Sequence, residues 1–157
     1  YIDVEAWWIP KPQDHAILDL GAGNDSIATT VLQVGGRVFM GDGRDTITGL
    51  IDDHWSSFDS AVTYASIDLG TGDDLINLRY GQTTHYNRKE GMSDPLVNSS
   101  SKPEYVEING GDGFDKILVS GGIFENIEAG GTALMKYSAN GFNFYYKLTG
   151  IEEVAYG

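Results

Sequence analysis

Apolar, glycine and acidic positions recur in one fixed order at four places along the chain. Each copy has an apolar residue, two spacers, the motif Gly-x-Gly-x-Asp, one further spacer and an isoleucine. Apolar and polar positions alternate around the motif, which predicts a short half-buried β-strand before and after each turn. Two glycines one position apart allow a sharp turn with positive φ. The copies cover residues 18–27, 38–47, 67–76 and 108–117.

The residue types in these turns predict a metal site. Glycine turns direct carbonyl oxygens inward, and the aspartate that follows adds a carboxylate to them. Hard oxygen ligands of this mixed kind suit calcium (Ca2+), which accepts several of them at flexible angles. A single turn supplies only part of a coordination sphere, so an ion must lie between two stacked turns. The predicted ligands are Gly21, Gly23, Asp25, Gly41, Gly43, Asp45, Gly70, Gly72, Asp74, Gly111, Gly113 and Asp115.

Further acidic residues lie next to these ligands. Asp42, Asp73 and Asp112 occupy spacer positions, where they are either auxiliary calcium ligands or solvated charges. Asp19 and Asp68 precede their turns and alternate with apolar neighbours, so we expect them to face outward. An ordinary Asx turn would explain one such aspartate. Four copies in register favour calcium ligation instead.

The spacing of the copies predicts how the turns are arranged. Ile27 and Ile47 are 20 positions apart, which corresponds to one calcium turn in each coil of about that length. Calcium turns would then line one edge of the fold, and plain bends such as Gly35-Gly36 the other. Ile76 and Ile117 follow after 29 and 41 positions, and these longer spacings predict insertions near residues 51–63 and 80–104.

The repeat resembles the RTX, or hemolysin-type, calcium-binding repeat of secreted bacterial proteins. The likeness covers about residues 16–120, and residues 110–117 match the family pattern in full. Leu20, Met40 and Leu69 replace the first glycine of that pattern in the other copies. The resemblance implies an all-β, right-handed parallel β-roll or β-solenoid that folds when it binds extracellular calcium. It also implies type I secretion as a module of a larger bacterial adhesin, toxin or exoenzyme.

Both ends of the chain are predicted to close this stack as parts of one domain. Residues 1–15 form an N-terminal cap, in which Trp7 and Trp8 cover the first coil or, alternatively, offer an aromatic platform for a sugar ring. Residues 121–157 lack the turn aspartate and are predicted to form further β rungs without calcium. Within them, residues 139–141 (Ala-Asn-Gly) predict a hairpin turn. Residues 142–148 predict a half-exposed strand.

Composition limits the class of partner. The net charge of −13 and the pI of about 4.3 argue against nucleic acid or an anionic membrane surface. The absence of cysteine excludes disulfides and thiolate metal sites, and no apolar run has the length of a membrane span. The sequence begins at Tyr1 without a methionine, so we expect it to be a piece of a larger parent polypeptide.

The two insertions suggest alternative functions. His54 and Trp55 lie in the first, and His85 and Tyr86 in the second. Together they predict a site for a polysaccharide or a cell-surface ligand, although solvated loop residues are the simpler interpretation. A polysaccharide-modifying enzyme on a β-helix is a further alternative, for which the sequence indicates no catalytic residues. The spacer residues lack the regular outward array that ice binding requires. Calcium binding, without enzymatic activity, is therefore the function that the sequence predicts.

Overall fold

The computed structural model describes residues 2–9, 17–34, 36–53, 66–80, 105–129 and 131–157. These residues contain thirteen strands and no helix, which confirms the predicted all-β class. Among them, none lies in a helix with the length and apolar character needed to cross a membrane. The strands are β1 (Ile2–Ile9), β2 (Ile17–Asp19), β3 (Ser26–Val34), β4 (Arg37–Phe39), β5 (Thr46–Asp53), β6 (Ser66–Asp68), β7 (Leu75–Arg79), β8 (Val106–Asn109), β9 (Lys116–Ser120), β10 (Ile123–Ala129), β11 (Thr132–Ala139), β12 (Phe142–Thr149) and β13 (Glu153–Tyr156).

The strands form two sheets, and the chain alternates between them. The first sheet has the order β1-β3-β5-β7-β9-β13, and the second has the order β10-β11-β12-β8-β6-β4-β2. Each glycine turn leads from a short strand of the second sheet to a longer strand of the first. All pairings between strands of the first sheet are parallel, as are those along β12-β8-β6-β4-β2. All of the glycine turns therefore lie at the same junction between the two sheets.

Apolar side chains in register form the core between the sheets. The closing isoleucine of each repeat pairs with that of the next repeat. This holds although the number of positions between successive isoleucines rises from 20 to 29 and then to 41. Burying an isoleucine of this kind stabilises the fold by about 1.5–3 kcal/mol. The first-sheet row is Ile27, Ile47, Ile76, Ile117 and Val154, and the second-sheet row is Leu18, Val38, Ile67, Ile108 and Leu148.

The C-terminal strands differ from the predicted rungs. β10, β11 and β12 pair antiparallel, and only β12 and β13 rejoin the parallel ladders. A tight turn at Asn140 (φ 50°) and Gly141 (φ 81°) reverses the chain, which confirms the predicted hairpin. β12 is also less exposed than predicted, because Phe144, Tyr145 and Tyr146 are all buried. Successive side chains on a strand point to opposite faces, so both faces of β12 are covered here.

The segments outside the repeats are partly described. In the predicted N-terminal cap, β1 pairs with β3 as the edge strand of the first sheet. Residues 51–53 of the first predicted insertion belong to β5, where Ile51 and Asp52 are buried. The other residues of both insertions, except Tyr80, lie outside the described ranges. The four predicted ligand-binding residues His54, Trp55, His85 and Tyr86 are among them.

Candidate metal centre

The four glycine turns stack directly on one another. Parallel bridges join the spacer residues of successive turns, from Ala22 to Asp42, from Asp42 to Thr71 and from Thr71 to Asp112. Each bridge is a pair of main-chain hydrogen bonds. In the first, the Gly23 N–H donates to the Asp42 carbonyl at 2.7 Å and the Asp42 N–H donates to the Gly21 carbonyl at 3.0 Å. The stack thus brings together turns that lie 20, 29 and 41 positions apart.

Close contact between turns explains why glycine occupies both motif positions. A Cβ atom on Gly43 would lie 1.9 Å from the carbonyl oxygen of Gly23, and one on Gly72 would lie 1.8 Å from that of Gly43. The same glycines have φ angles of 143° and 125°, which other residues rarely adopt. A row of carbonyl oxygens therefore runs along the stack where side chains would otherwise stand.

The aspartates of the turns form a ladder of their own. The Asp25 N–H donates to Oδ1 of Asp45 at 2.7 Å, and the Asp45 N–H donates to Oδ1 of Asp74 at 2.7 Å. The Asp74 N–H donates in turn to Oδ1 of Asp115 at 3.0 Å. The carboxylates of Asp45, Asp74 and Asp115 therefore each reach back to the preceding turn. This arrangement keeps neighbouring carboxylates close together along the inner side of the turns.

The second carboxylate oxygen of every turn aspartate has no partner. Oδ2 of Asp25, Asp45, Asp74 and Asp115 is buried and accepts no hydrogen bond in the described part of the chain. The last three residues are 1%, 2% and 0% exposed. Buried polar atoms are nearly always hydrogen-bonded, and a buried carboxylate oxygen without a partner is costly. Four such atoms, one in each turn, are oxygen donors of the kind that a hard cation accepts.

The pKa values of the ladder carboxylates Asp45, Asp74 and Asp115 are raised. Burial, together with the charges of Asp115 and Asp45, raises the pKa of Asp74 to about 6. Burial is also the main cause that raises the pKa of Asp45 and that of Asp115. For Asp45 the charges of Asp25 and Asp42 add to this effect. The net effect of the described residues is therefore to disfavour the ionised form of these carboxylates.

Carboxylate and carbonyl oxygens of the turns fit calcium as ligands. The number of converging side chains and the hydrogen bonds of the carbonyls both limit how they could coordinate it. Within the described ranges, no three His, Cys, Asp or Glu side chains converge as a preformed site. Backbone carbonyls would therefore have to complete the sphere, as calcium commonly allows. Three of those predicted to point inward, on Gly21, Gly41 and Gly70, each accept a main-chain hydrogen bond from the next turn. Each retains a second lone pair, because a carbonyl oxygen has two.

The spacer residues mainly hold the stack together. Oδ1 of Asp42 accepts a hydrogen bond from the Thr71 hydroxyl at 2.9 Å, and Oδ1 of Asp73 accepts one from the Phe114 N–H at 2.9 Å. Asn24 makes the equivalent contact with the Arg44 N–H at 2.8 Å. Asp42, Asp73 and Asp112 are all exposed. These contacts give Asp42 and Asp73 a structural role between turns, and both predictions for the spacers, auxiliary ligand and solvated charge, stay open.

The residues that precede the turns have a local role. Oδ1 of Asp19, Asp68 and Asn109 each accepts a hydrogen bond from the first motif glycine two positions on. This is an Asx turn, which bends the chain into the glycine motif. Asp68 is half-buried between the buried Ile67 and Leu69, consistent with the predicted alternation.

One carboxylate of the ladder was missed by the sequence analysis. Oε2 of Glu152 accepts a hydrogen bond from the Asp115 N–H at 2.7 Å, in the way that each turn aspartate caps the turn before it. A sequence signal exists, because Glu152 precedes Val154 by two positions, as Asp115 precedes Ile117. The Gly-x-Gly motif is absent there, so the spacing alone did not identify it.

Comparison with known proteins gives no match: no protein-family model, no curated protein and no solved structure matches this chain. The interpretation of the turns as a metal centre therefore rests on their own geometry.

Proposed function

We propose that this chain is a calcium-binding module whose folding depends on calcium. The observation that carries the proposal is the row of four buried, unpartnered Oδ2 atoms on Asp25, Asp45, Asp74 and Asp115. These residues would hold the ions, together with carbonyl oxygens of the motif glycines. Calcium would be coordinated by the oxygen atoms of this row and would balance their negative charge. No described cationic side chain provides that charge there.

The architecture we propose is a right-handed β-solenoid, or β-roll, with its calcium turns along one edge. Parallel pairing of each strand with its equivalent in the next repeat supports it. So does the stacking of the four turns at one junction between the sheets. In such a fold each ion lies between two turns, so the carboxylates of both contribute to binding.

Repulsion between buried carboxylates is the physical reason why folding would depend on calcium binding. Asp45, Asp74 and Asp115 lose hydration on folding while their ladder keeps them close together. Without a cation this opposes folding, because buried charge requires a partner. A ligand that binds only the folded state stabilises that state in proportion to its concentration. Calcium modules of extracellular proteins have dissociation constants of about 10⁻⁴ to 10⁻³ M, which suits folding outside the cell.

The biological role we propose is secretion and stabilisation of a larger bacterial adhesin, toxin or exoenzyme. An acidic chain that stays unfolded where calcium is scarce would remain competent for export. It would then fold at the cell surface or in the medium. The resemblance of residues 110–117 to the RTX repeat and the net charge of −13 support this role.

A calcium titration followed by far-UV circular dichroism tests the proposal. We expect a cooperative gain of β-sheet signal with calcium, its loss on addition of EDTA, and no comparable response to magnesium. Magnesium is the informative control because it requires a smaller and more rigid octahedral site. A chain that is fully folded in EDTA and binds no calcium would refute the proposal.

A further inference from the structure

The aspartate ladder continues for one step beyond the four motif turns. β13 pairs with β9 so that Glu153 lies opposite Lys116, which puts Glu152 in register with Asp115. The Asp115 N–H donates to Oε2 of Glu152 at 2.7 Å, the same distance as between the Asp25 N–H and Oδ1 of Asp45. Glu152 therefore occupies the position of a fifth turn aspartate.

The segment that carries Glu152 is a shortened turn. Six residues (110–115) connect the paired positions in the fourth motif turn, whereas three residues (150–152) connect them here. The shortened turn still stacks on its neighbour, since the Gly110 N–H donates to the Thr149 carbonyl at 2.8 Å. The extra methylene of glutamate explains why this residue reaches the ladder from a shorter loop.

Gly110 packs closely between the fourth turn and the shortened one. A Cβ atom at Gly110 would lie 2.2 Å from the carbonyl oxygen of Gly150 and 2.5 Å from Oδ2 of Asp115. Both oxygens therefore lie close to Gly110 on the same side of its backbone. The φ angle of Gly110 is not positive, so the backbone conformation does not require glycine at this position. The equivalent residues Met40 and Leu69 fill their places with buried apolar side chains.

Oxygen atoms converge beside Gly110, and one of them lacks a hydrogen-bond partner. Asp115 is 0% exposed, and its Oδ2 atom accepts no hydrogen bond among the described residues. A carbonyl and a carboxylate oxygen side by side, with a second carboxylate adjacent, attract a divalent cation that prefers oxygen. Lys116 does not serve as this partner, because its ammonium pairs with Glu153 at 3.4 Å.

We propose that the shortened turn completes a terminal site for a divalent cation of the calcium class, formed by the Asp115 carboxylate, the Gly150 carbonyl and the Glu152 carboxylate. The inference rests on the proposed function, because it extends the same ladder. It adds a site that the Gly-x-Gly-x-Asp motif does not encode. It also assigns the C-terminal strands a role in binding, because β12 and β13 carry the turn that closes the stack.

The test compares Glu152→Gln with Glu153→Gln in the complete chain. Glutamine at 152 keeps an oxygen that accepts the hydrogen bond from Asp115 N–H but removes the charge. Glu153→Gln removes an equal charge from the adjacent residue, which pairs with Lys116 at the surface. Calorimetric titration with calcium alone and native mass spectrometry count the bound ions. Circular dichroism at saturating calcium checks that each variant folds.

We expect the Glu152→Gln variant to bind one calcium ion fewer than the unsubstituted chain and the Glu153→Gln variant to bind the same number. An unchanged number of ions and unchanged affinity in Glu152→Gln would overturn the terminal site and leave the proposed function intact. An unsubstituted chain that binds no calcium would overturn both.

A measurement on the unsubstituted chain keeps the inference testable if Glu152→Gln fails to fold. The ¹³C resonance of the Gly150 carbonyl reports directly on coordination by its oxygen. Because calcium also folds the chain, the comparison is made between the folded chain with calcium bound and the folded chain with the larger ion strontium bound. We expect the Gly150 resonance to differ between the two ions more than the Thr149 carbonyl resonance, whose oxygen is engaged by the Gly110 N–H. A Gly150 difference no larger than that of Thr149 would overturn the site.

Discussion

The main-chain N–H of Asp74 donates to Oδ1 of Asp115 at 3.0 Å, across 41 positions of the chain. The contact stacks two turns and also sets two buried carboxylates beside each other. Their charges oppose one another, and the Oδ2 atom of each accepts no hydrogen bond among the described residues. The stability of this pair therefore depends on what balances its charge, and this makes the ladder sensitive to calcium, to pH and to substitution.

Replacing Asp74 by asparagine should have opposite effects with and without calcium. Asparagine keeps an oxygen for the Asp45 N–H but removes a buried charge. Without calcium we expect Asp74→Asn to be more stable than the unsubstituted chain, because an unpaired buried charge is lost. With calcium, the midpoint of calcium-induced folding should rise about tenfold, or ~1.4 kcal/mol. Urea unfolding in EDTA and a calcium titration measure the two effects.

The matched control for that substitution is Asp73→Asn. Asp73 is the adjacent residue but is exposed, and its contact with the Phe114 N–H survives in asparagine. The charge of Asp73 acts on the ladder only from a distance, as one of the smaller causes that raise the pKa of Asp115. The urea midpoint in EDTA and the calcium midpoint should therefore change much less than in Asp74→Asn. A calcium midpoint that shifts equally in the two variants would assign the effect to net charge rather than to the ladder.

The pH dependence of folding should reverse when calcium is added. Burial and neighbouring charge raise the pKa of Asp74 from 3.8 to about 6 in the folded chain. In EDTA the proton therefore contributes stability that is complete below pH 3.8 and is lost as the pH rises through about 6. Calcium binding instead requires the ionised carboxylate, so its affinity should fall as the pH drops through the same range.

Circular dichroism at about pH 5 and about pH 7, in EDTA and in calcium, tests this reversal. The Asp74→Asn variant provides the reference, since it lacks the titrating group and should lose much of the difference. If both conditions gave the same direction of change with pH, titration of the ladder would not be its cause.

Two alanine substitutions separate the conformational cost of the motif glycines from their steric cost. Gly23 (φ 131°) has open space where a Cβ would stand, so Gly23→Ala should destabilise the fold by about 1–2 kcal/mol through backbone strain alone. Gly43 (φ 143°) would in addition place its Cβ 1.9 Å from the Gly23 carbonyl oxygen. Gly43→Ala should therefore cost about 1–3 kcal/mol more. Urea unfolding at saturating calcium measures both, and equal losses would contradict the tight stacking of the turns.

The hydroxyl of Tyr137 ties the C-terminal strands to the repeats. It accepts a hydrogen bond from the Tyr80 N–H at 2.8 Å and donates one to the Ser120 carbonyl at 2.8 Å. Tyr137→Phe should destabilise the fold by about 1–3 kcal/mol, because it leaves these main-chain groups without their partner. Tyr156→Phe serves as the control. Its hydroxyl accepts one long, exposed hydrogen bond from the Phe124 N–H at 3.3 Å, and Tyr156 is 59% exposed, so we expect a clearly smaller loss than for Tyr137→Phe. A similar change in both variants would show that the Tyr137 hydroxyl has no special role.

The sequence by itself determined the features that depend on local chemistry. Glycine adopts positive φ at little steric cost, so the four turns are readable from the motif, as are the hairpin at Asn140-Gly141 and the all-β class. The alternation of apolar residues around each turn similarly predicted which side chains, such as Ile27 and Ile117, enter the core. The spacing of 20 positions between Ile27 and Ile47 predicted the length of one coil, and only these two copies have no insertion between them.

Tertiary structure decided everything that depends on contacts across the chain. The unpaired state of Oδ2 on Asp115 arises from burial between neighbouring turns, and no local motif expresses it. The antiparallel pairing of β10 with β11 was not predicted, because the rhythm of apolar residues is the same for parallel and antiparallel pairing. Glu152 joins the ladder across 37 positions because β13 lies beside β9. Local sequence specifies backbone conformation, but the partner of a carboxylate depends on which strands become neighbours when the core is buried.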